Sequence, residues 1–380
     1  MVAGQSLITL EKFMNSKKSN WFTVYFLPGL VFQSMVIGGG YATGRELVEF
    51  FLRLGPLTGL LGMLIATVIW SAVAAVSFEL ARMTKSYDYR TFFQSLLGPA
   101  WFLYEIAYVA LMLLILSVIA AAGGDMMEYS FGIPRSISTV LIMSAIGLLT
   151  FFGTGMIEKF LSYWSLLLYG VYVVFLAWGI SQFGDDISRN FSESSINEGW
   201  FIGGVSYAGY NLAIIPLVLF CIKRITKRKQ ALVSGAIAGL IAIIPGVLFY
   251  IVMVGMYPAI MDSSVPVNVI LEAFDSRGFE ILFQIVIYGT FIETGAGLLH
   301  SLNERVFHTA KERNVLLPEY LRPVIAVAVL IMAIIAGGKI GLVGLIAEGY
   351  GFMTFVFILV FVIPVMTIGV VRILRSKGSA

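Results

Sequence analysis

Apolar stretches of 20 or more residues recur from Trp21 to Leu374, and they limit the fold more than any other feature of the sequence. Each stretch is long enough to cross a hydrocarbon core of roughly 30 Å as an α-helix. The stretches are continuously apolar, whereas the strands of membrane β-barrels alternate apolar and polar residues. Charged residues make up 12% of the 380 positions, against about 25% in soluble domains. The sequence therefore excludes an ordinary soluble enzyme and predicts an all-α integral membrane protein.

We predict ten membrane-spanning helices. They cover residues 21–52, 57–82, 101–127, 136–155, 158–183, 200–222, 231–257, 279–304, 321–337 and 342–373. The chain then divides into a cytoplasmic N-terminal segment (1–20), a first five-helix repeat (21–183), an external loop (184–199), a second five-helix repeat (200–373) and a cytoplasmic tail (374–380). The first span is too long for a signal peptide, so we expect it to be retained.

The distribution of basic residues predicts the orientation. With both termini in the cytoplasm, 19 of the 25 Lys and Arg residues lie on the cytoplasmic side. This asymmetry follows the positive-inside rule and explains the net charge of +3 without an anionic partner such as nucleic acid. We therefore predict a multi-pass protein of the cell membrane with cytoplasmic termini.

The sequence contains few groups that could supply cofactor or enzyme chemistry. Cys221 is the only cysteine, and His300 and His308 are too few to form a metal cage. The phosphate-binding sequences GxxxxGKS and GxxxxGKT do not occur, and no nucleophile–base motif is present. We therefore expect no enzymatic activity, no cofactor and no ATPase subunit, with an ion gradient as the energy source for any uphill transport.

Two glycine-rich segments lie near the middle of predicted spans one and six. The first is Gly38-Gly39-Gly40-Tyr41-Ala42, and the second is Gly203-Gly204-Val205-Ser206-Tyr207-Ala208-Gly209-Tyr210-Asn211. The Tyr-Ala pairs are 166 residues apart, which is the length of one five-helix repeat, and a repeat with an odd number of spans must be inverted. Glycine costs about 1 kcal/mol relative to alanine in a helix, so we predict non-helical backbone at Gly38–Gly40 and at Tyr207–Gly209, facing each other across a central cavity. Close packing at Gly40-x-x-x-Gly44 is the alternative.

Broken helices at corresponding places in two halves are typical of a transporter's substrate site. The predicted substrate-binding residues are Gly38, Gly39, Gly40, Tyr41, Ala42, Tyr207, Ala208, Gly209, Tyr210 and Asn211. Free N–H groups at the start of the outer half of span one suit a carboxylate, and carbonyls at the end of the inner half suit a cation. A zwitterion such as an amino acid fits both, while an organic cation or a neutral polar solute does not conflict.

Placing a charged side chain in the middle of the membrane costs at least about 2.5–3.5 kcal/mol of free energy, so we expect each such residue to have a partner or a function. Arg45 and Glu49 are four residues apart and either pair with each other or form an outer gate. Glu293 lies deep in span eight on one face with Thr290 and Thr294, and these oxygen ligands predict a site for a coupling proton or sodium ion. The other ionisable residues at this depth are Glu46, Glu105, Asp125 and Glu348.

The acidic external loops 184–199 and 258–278 lie outside the predicted spans. The second contains a segment, 267–274, that is either a short helix over an outer vestibule or a solvated loop.

The stretch from Gly38 to Phe51 resembles the YkvI-like bacterial membrane proteins of the amino acid-polyamine-organocation superfamily, which has the LeuT fold. That resemblance implies ten helices in two inverted repeats, a substrate site at breaks in spans one and six, and a sodium site at Thr290 and Thr294. Glu293 departs from a hydroxyl-only sodium site and favours proton coupling.

We therefore predict a cation-coupled secondary transporter of a small amino-acid-like or amine solute that works by alternating access. The alternative is a transporter-fold receptor that binds a small solute and signals without moving it. The expected partners are that small-molecule substrate and the lipid bilayer.

Overall fold

Apolar helices form nearly all of the regular structure in the computed structural model, which describes residues 21–151, 154–312 and 314–376. The N-terminal part contains α1 (Trp21–Tyr25), α2 (Leu27–Val36), α3 (Gly39–Ala42), α4 (Arg45–Phe50), α5 (Pro56–Thr84), α6 (Tyr89–Leu97), α7 (Phe102–Phe131), α8 (Arg135–Phe151) and α9 (Thr154–Ser192). The C-terminal part contains α10 (Trp200–Asn211), α11 (Ile215–Val218), α12 (Arg228–Val254), α13 (Pro266–Ala273), α14 (Arg277–Glu312), α15 (Leu321–Gly344), α16 (Gly351–Phe357) and α17 (Val370–Arg375). The prediction of an all-α membrane protein is confirmed.

Seven helical stretches of the described chain are long and apolar enough to cross a membrane by length and composition. Two shorter apolar helices, Leu27–Val36 and Arg135–Thr150, lie where the sequence predicts spans one and four. The last stretch, Leu321–Arg375, has 55 residues and contains Gly341 in a non-helical conformation (φ 77°, ψ 165°). The two short helices and the kink in the last stretch explain why seven long helices are found where the sequence predicts ten spans.

The first span is interrupted at the predicted place. α2 ends at Val36, Ile37 leaves the helical region (ψ 82°), and Gly38 is extended (φ −110°, ψ −167°). The helix resumes at Gly39 for one turn and then stops again at Gly44, whose φ of 81° favours glycine. The predicted non-helical segment Gly38–Gly40 is therefore right at Gly38 and wrong at Gly39 and Gly40, which are helical, and the second interruption at Gly44 was not predicted.

The predicted break at Tyr207–Gly209 is wrong. α10 runs unbroken from Trp200 to Asn211, and the helix only tightens to a 3₁₀ turn at Leu212–Ile214. The glycines instead permit close packing: a Cβ on Gly204 would strike the Gly62 carbonyl oxygen, and one on Gly209 would strike the Thr354 side chain. The helices can approach this closely only where the residue has no side chain, and these close contacts offset the low helix propensity of glycine.

The largest helix contact is between α5 and α12. A Cβ on Gly235 would strike the Ala75 backbone, and one on Gly239 would strike the Ser71 side chain and backbone. α10 packs against α5 from another side, and α7 packs against α15. These contacts bury the middle of α5, including Trp70, and fix the positions of the helices that surround the interrupted first span.

The segment 258–276, which the sequence predicts to be external, is structured, with a 3₁₀ turn at Ala259–Asp262 followed by α13. The amide nitrogen of Val267 donates a hydrogen bond of 3.0 Å to the Thr43 carbonyl oxygen, beside the second interruption of span one. Of the two interpretations of residues 267–274, the short helix is confirmed, and it lies directly on the broken span.

Replacing Gly235 by valine should destabilise the helix pair α5–α12, because the new side chain meets backbone atoms that cannot move aside cheaply. We expect a loss of about 1–3 kcal/mol, visible as a lower melting temperature of the purified protein in detergent. Gly338→Val is the matched control, since a Cβ there has nothing within 4 Å. Equal melting temperatures for both variants would contradict this account of the packing.

Candidate functional site

The carboxylate of Glu46 lies at the interruption of span one. The turn at Gly44 directs α4 so that the Glu46 side chain folds back against Gly40, where a Cβ would strike its Oε1 atom. Glu46 is 4% exposed, and its Oε2 atom accepts a hydrogen bond of 2.5 Å from the Tyr210 hydroxyl of α10. A buried carboxylate thus joins spans one and six at the place where the substrate site was predicted.

Aromatic rings surround this carboxylate. Tyr210 stacks on Tyr350 with ring centroids 4.3 Å apart, and Tyr350 lies in a π-helical turn, Leu345–Tyr350. Phe50 is 5.9 Å from the rings of both Tyr207 and Tyr210. Tyr41, Tyr207, Tyr210 and Tyr350 all lie within electrostatic reach of Glu46. We call these four tyrosines and Phe50 the aromatic shell.

The hydroxyl group of Tyr41 is buried and has no clear hydrogen-bond partner among the described residues. The residue is 1% exposed, and its ring contacts Phe249 of α12 at 6.4 Å. Its hydroxyl makes no well-formed hydrogen bond to the described residues, with Tyr172 as a polar neighbour. Burying a hydroxyl without a hydrogen bond is unfavourable, so this group is available to a ligand at the interruption.

The remaining predicted residues of span six mainly support α10 itself. The Asn211 amide donates to the Tyr207 carbonyl oxygen one turn earlier at 3.0 Å. The Ala208 carbonyl oxygen accepts from the Trp70 indole nitrogen at 3.2 Å, and Gly209 packs against Thr354. Span six therefore contributes the side chains of Tyr207 and Tyr210 to the site rather than backbone groups.

Arg45 and Glu49 form the predicted pair, with 2.8 Å between Nη2 and Oε2. Arg45 is 1% exposed, and its Nη1 atom also donates to the carbonyl oxygens of Met261 (3.0 Å) and Ser263 (2.9 Å). Arg53 binds the other oxygen of Glu49 at 2.8 Å. The pair thus attaches the external segment to the outer half of span one.

The predicted ion-coupling residues lie on α14, which packs against α3 and therefore against the interruption. Thr290 is buried, and its hydroxyl donates to the Val286 carbonyl oxygen of its own helix at 2.9 Å. Glu293 and Thr294 are half-buried. Glu293 makes no ion pair or hydrogen bond within the described part of the chain, and Tyr169 of α9 lies within its electrostatic reach.

Two other carboxylates at membrane depth have cationic partners, whereas Glu348 is exposed. Asp125 pairs with Arg135 at 2.8 Å, and Glu105 pairs with Arg305 at 2.8 Å. The Glu105–Arg305 pair lines a cavity of about 440 Å³ at the ends of α7 and α14. These pairs neutralise their charges locally, which distinguishes them from Glu46 and Glu293.

The sequence did not single out Glu46 and Tyr350 as site residues. Glu46 follows Arg45 directly and looks like another charge at the outer end of a continuous helix. Only the positive φ at Gly44 aims its side chain back at Gly40. Tyr350 carries no motif, and its position depends on the π-helical turn.

Comparisons with known proteins agree with this architecture. No protein-family model matches the chain. The chain is 23% identical over 291 residues to the uncharacterized membrane protein YkvI of Bacillus subtilis (strain 168), an alignment that covers 73% of this chain and 79% of that protein. The predicted resemblance to YkvI is therefore confirmed.

The fold resembles that of a solved transporter structure. A mutant of the Eremococcus coleocola manganese transporter superposes with a TM-score of 0.50 at 14% identity, over 92% of this chain and 80% of that one. A substrate-bound, outward-open Na⁺-coupled sialic acid symporter gives a TM-score of 0.49 at 16% identity, over 88% and 83% of the two chains. The chain is a multi-pass membrane protein similar to YkvI, and its helical fold is that of LeuT-like transporters.

Proposed function

We propose that this protein is a cation-coupled secondary transporter of a small amino-acid-like or amine solute that works by alternating access. One observation carries the proposal: the interruption of span one brings a buried carboxylate and side chains from span six together inside the bundle. Irregular backbone at membrane depth is tolerated where it lines a cavity or binds a ligand. Interrupted helices near the midplane are the usual place of a transporter's substrate site.

The proposed topology has ten spans in two inverted five-helix repeats, 21–183 and 200–373, with both termini in the cytoplasm. The 55-residue stretch Leu321–Arg375 supports this count, because a helix of that length would measure about 80 Å. The non-helical residue Gly341 divides it into two segments that are each long enough to cross the hydrocarbon core. The excess of Lys and Arg on the side of the termini supports the orientation.

The proposed substrate site consists of the predicted residues around the interruption, Gly38 to Ala42, and the α10 face that carries Tyr207 and Tyr210. Arg45 and Glu49 act as the outer gate, because they hold the external segment against span one. Opening to the outside requires that these hydrogen bonds break. Thr290, Glu293 and Thr294 hold the coupling proton or sodium ion on α14, which packs against α3.

Gly40→Val should weaken ligand binding, because its side chain would displace the Glu46 carboxylate from its place beside Tyr210. We expect at least about tenfold weaker binding of any solute that stabilises the protein in a thermal-shift screen of amino acids and amines. Gly338→Val controls for the helical cost of the substitution. Normal binding by Gly40→Val would make the interruption a packing feature.

Glu293→Gln should keep the fold but abolish gradient-driven accumulation in proteoliposomes. The amide resembles the protonated acid and cannot release a proton or attract sodium, so solute exchange should persist. Uptake should be measured with a proton gradient and a sodium gradient in turn, which identifies the coupling ion. Full gradient-dependent accumulation by the variant would make Glu293 a structural residue, and binding without any uptake by the native protein would indicate a receptor.

Arg45→Met should loosen the outer gate, because it removes the hydrogen bonds to Met261 and Ser263. The test uses Ala42→Cys in a Cys221→Ser background. Its thiol should react faster with a membrane-impermeant reagent added from outside when Arg45→Met is also present than when Arg45 is retained. Arg53→Met is the matched control, since Arg53 also binds Glu49 but has an exposed side chain. Equal labelling rates in the two variants would count against the gate.

A further inference from the structure

Glu46 is a buried carboxylate without a cationic partner in the described part of the chain. The neighbouring Arg45 points away from it, toward Glu49 and the external segment. Glu46 accepts a side-chain hydrogen bond from the hydroxyl group of Tyr210, which carries no charge. Burying an unpaired charge is costly, so the resting site requires a positive charge from outside the protein, which is either a proton or a bound cation.

The aromatic shell determines which chemical kind of cation binds most favourably beside Glu46. Ring faces of tyrosine and phenylalanine attract ammonium groups, most strongly where water is excluded. Tyr207, Tyr210 and Tyr350 are all less than 6% exposed, and each lies within electrostatic reach of Glu46. A buried carboxylate with several aromatic rings nearby matches an organic ammonium ion, whose charge is spread over apolar groups.

The same residues disfavour a divalent metal and a carboxylate ligand. Manganese and similar ions are usually held by several oxygen or nitrogen ligands, and the described residues contain no group of three His, Cys, Asp or Glu side chains that could hold a metal. A ligand carboxylate at the interruption would meet Glu46 beside Gly40, where the negative charges repel each other.

We infer that the substrate site takes an organic ammonium ion, with its charge on the Glu46 carboxylate and its apolar groups against the aromatic shell. This inference rests on the proposed function for its location and narrows the solute to the amine class. A proton on Glu46 and an ammonium ion exclude each other, so the ammonium ion binds to the ionised carboxylate.

The first test uses the purified full chain in detergent with choline, tetramethylammonium and methylammonium as probes. Neohexyl alcohol has the shape of choline without its charge, and tert-butylacetate carries the opposite charge. We expect at least one of the ammonium probes to raise the melting temperature and bind in calorimetry, and the two comparison compounds and Mn²⁺ to have no effect. Stabilisation by neohexyl alcohol or tert-butylacetate equal to that by choline, or the failure of all three ammonium probes, would overturn the inference.

Variants identify the groups that bind. Glu46→Gln should weaken binding of the ammonium probe by about 100-fold, since a buried charge loses its partner. Glu348→Gln removes an exposed carboxylate near Tyr350 in the chain and should bind normally. Tyr350→Leu removes one ring of the aromatic shell and should bind the probe about tenfold more weakly. Unchanged binding by Glu46→Gln, or Mn²⁺ binding that depends on Glu46, would contradict the assignment.

These measurements separate the inference from the proposed function. Binding is measured without a membrane, so ammonium binding that depends on Glu46 supports the ligand class even where proteoliposomes show no uptake. Gradient-driven uptake of an anionic solute with no ammonium binding would overturn the ligand class and leave secondary transport standing.

Discussion

The requirement that backbone polar groups be satisfied within the membrane governs the interruption of span one, and the site is built around it. Helical hydrogen bonds stop at Ile37 and again at Thr43, which leaves amides and carbonyls to be paired elsewhere. The Thr43 hydroxyl binds the Gly40 carbonyl oxygen at 2.7 Å, and the Thr43 carbonyl accepts from Val267 of the external segment. The external helix α13 therefore helps to satisfy an interruption inside the membrane.

This pairing links the segment 258–276 to the interruption of span one. α13 contacts the interruption at Thr43, and Arg45, only two residues later, binds the carbonyls of Met261 and Ser263. Glu46 is the next residue and reaches Tyr210 of α10. A movement of the external segment must therefore disturb the same turn that positions Glu46, which is the connection that alternating access requires.

Some of this could be predicted from the sequence, and the reasons for the failures are physical. Hydrophobic length predicts the all-α class, and three consecutive glycines predict the interruption at Gly38. The glycines of span six look the same in the sequence but serve close packing against Gly62 and Thr354, which only the neighbouring helices reveal. The role of Glu46 depends on one positive φ at Gly44, and no local pattern reports such an angle.

Glu46 and Glu293 both lack a cationic partner among the described residues, and their surroundings differ. Glu46 lies among aromatic rings and accepts from Tyr210, whereas Glu293 is half-buried beside threonines on α14. α14 packs against α3, the single helical turn that carries Gly40 and Tyr41. The Glu46 side chain lies beside Gly40 of the same short turn that α14 contacts. In the proposed function, this shared turn is the means by which substrate binding on Glu46 changes the affinity for the coupling ion.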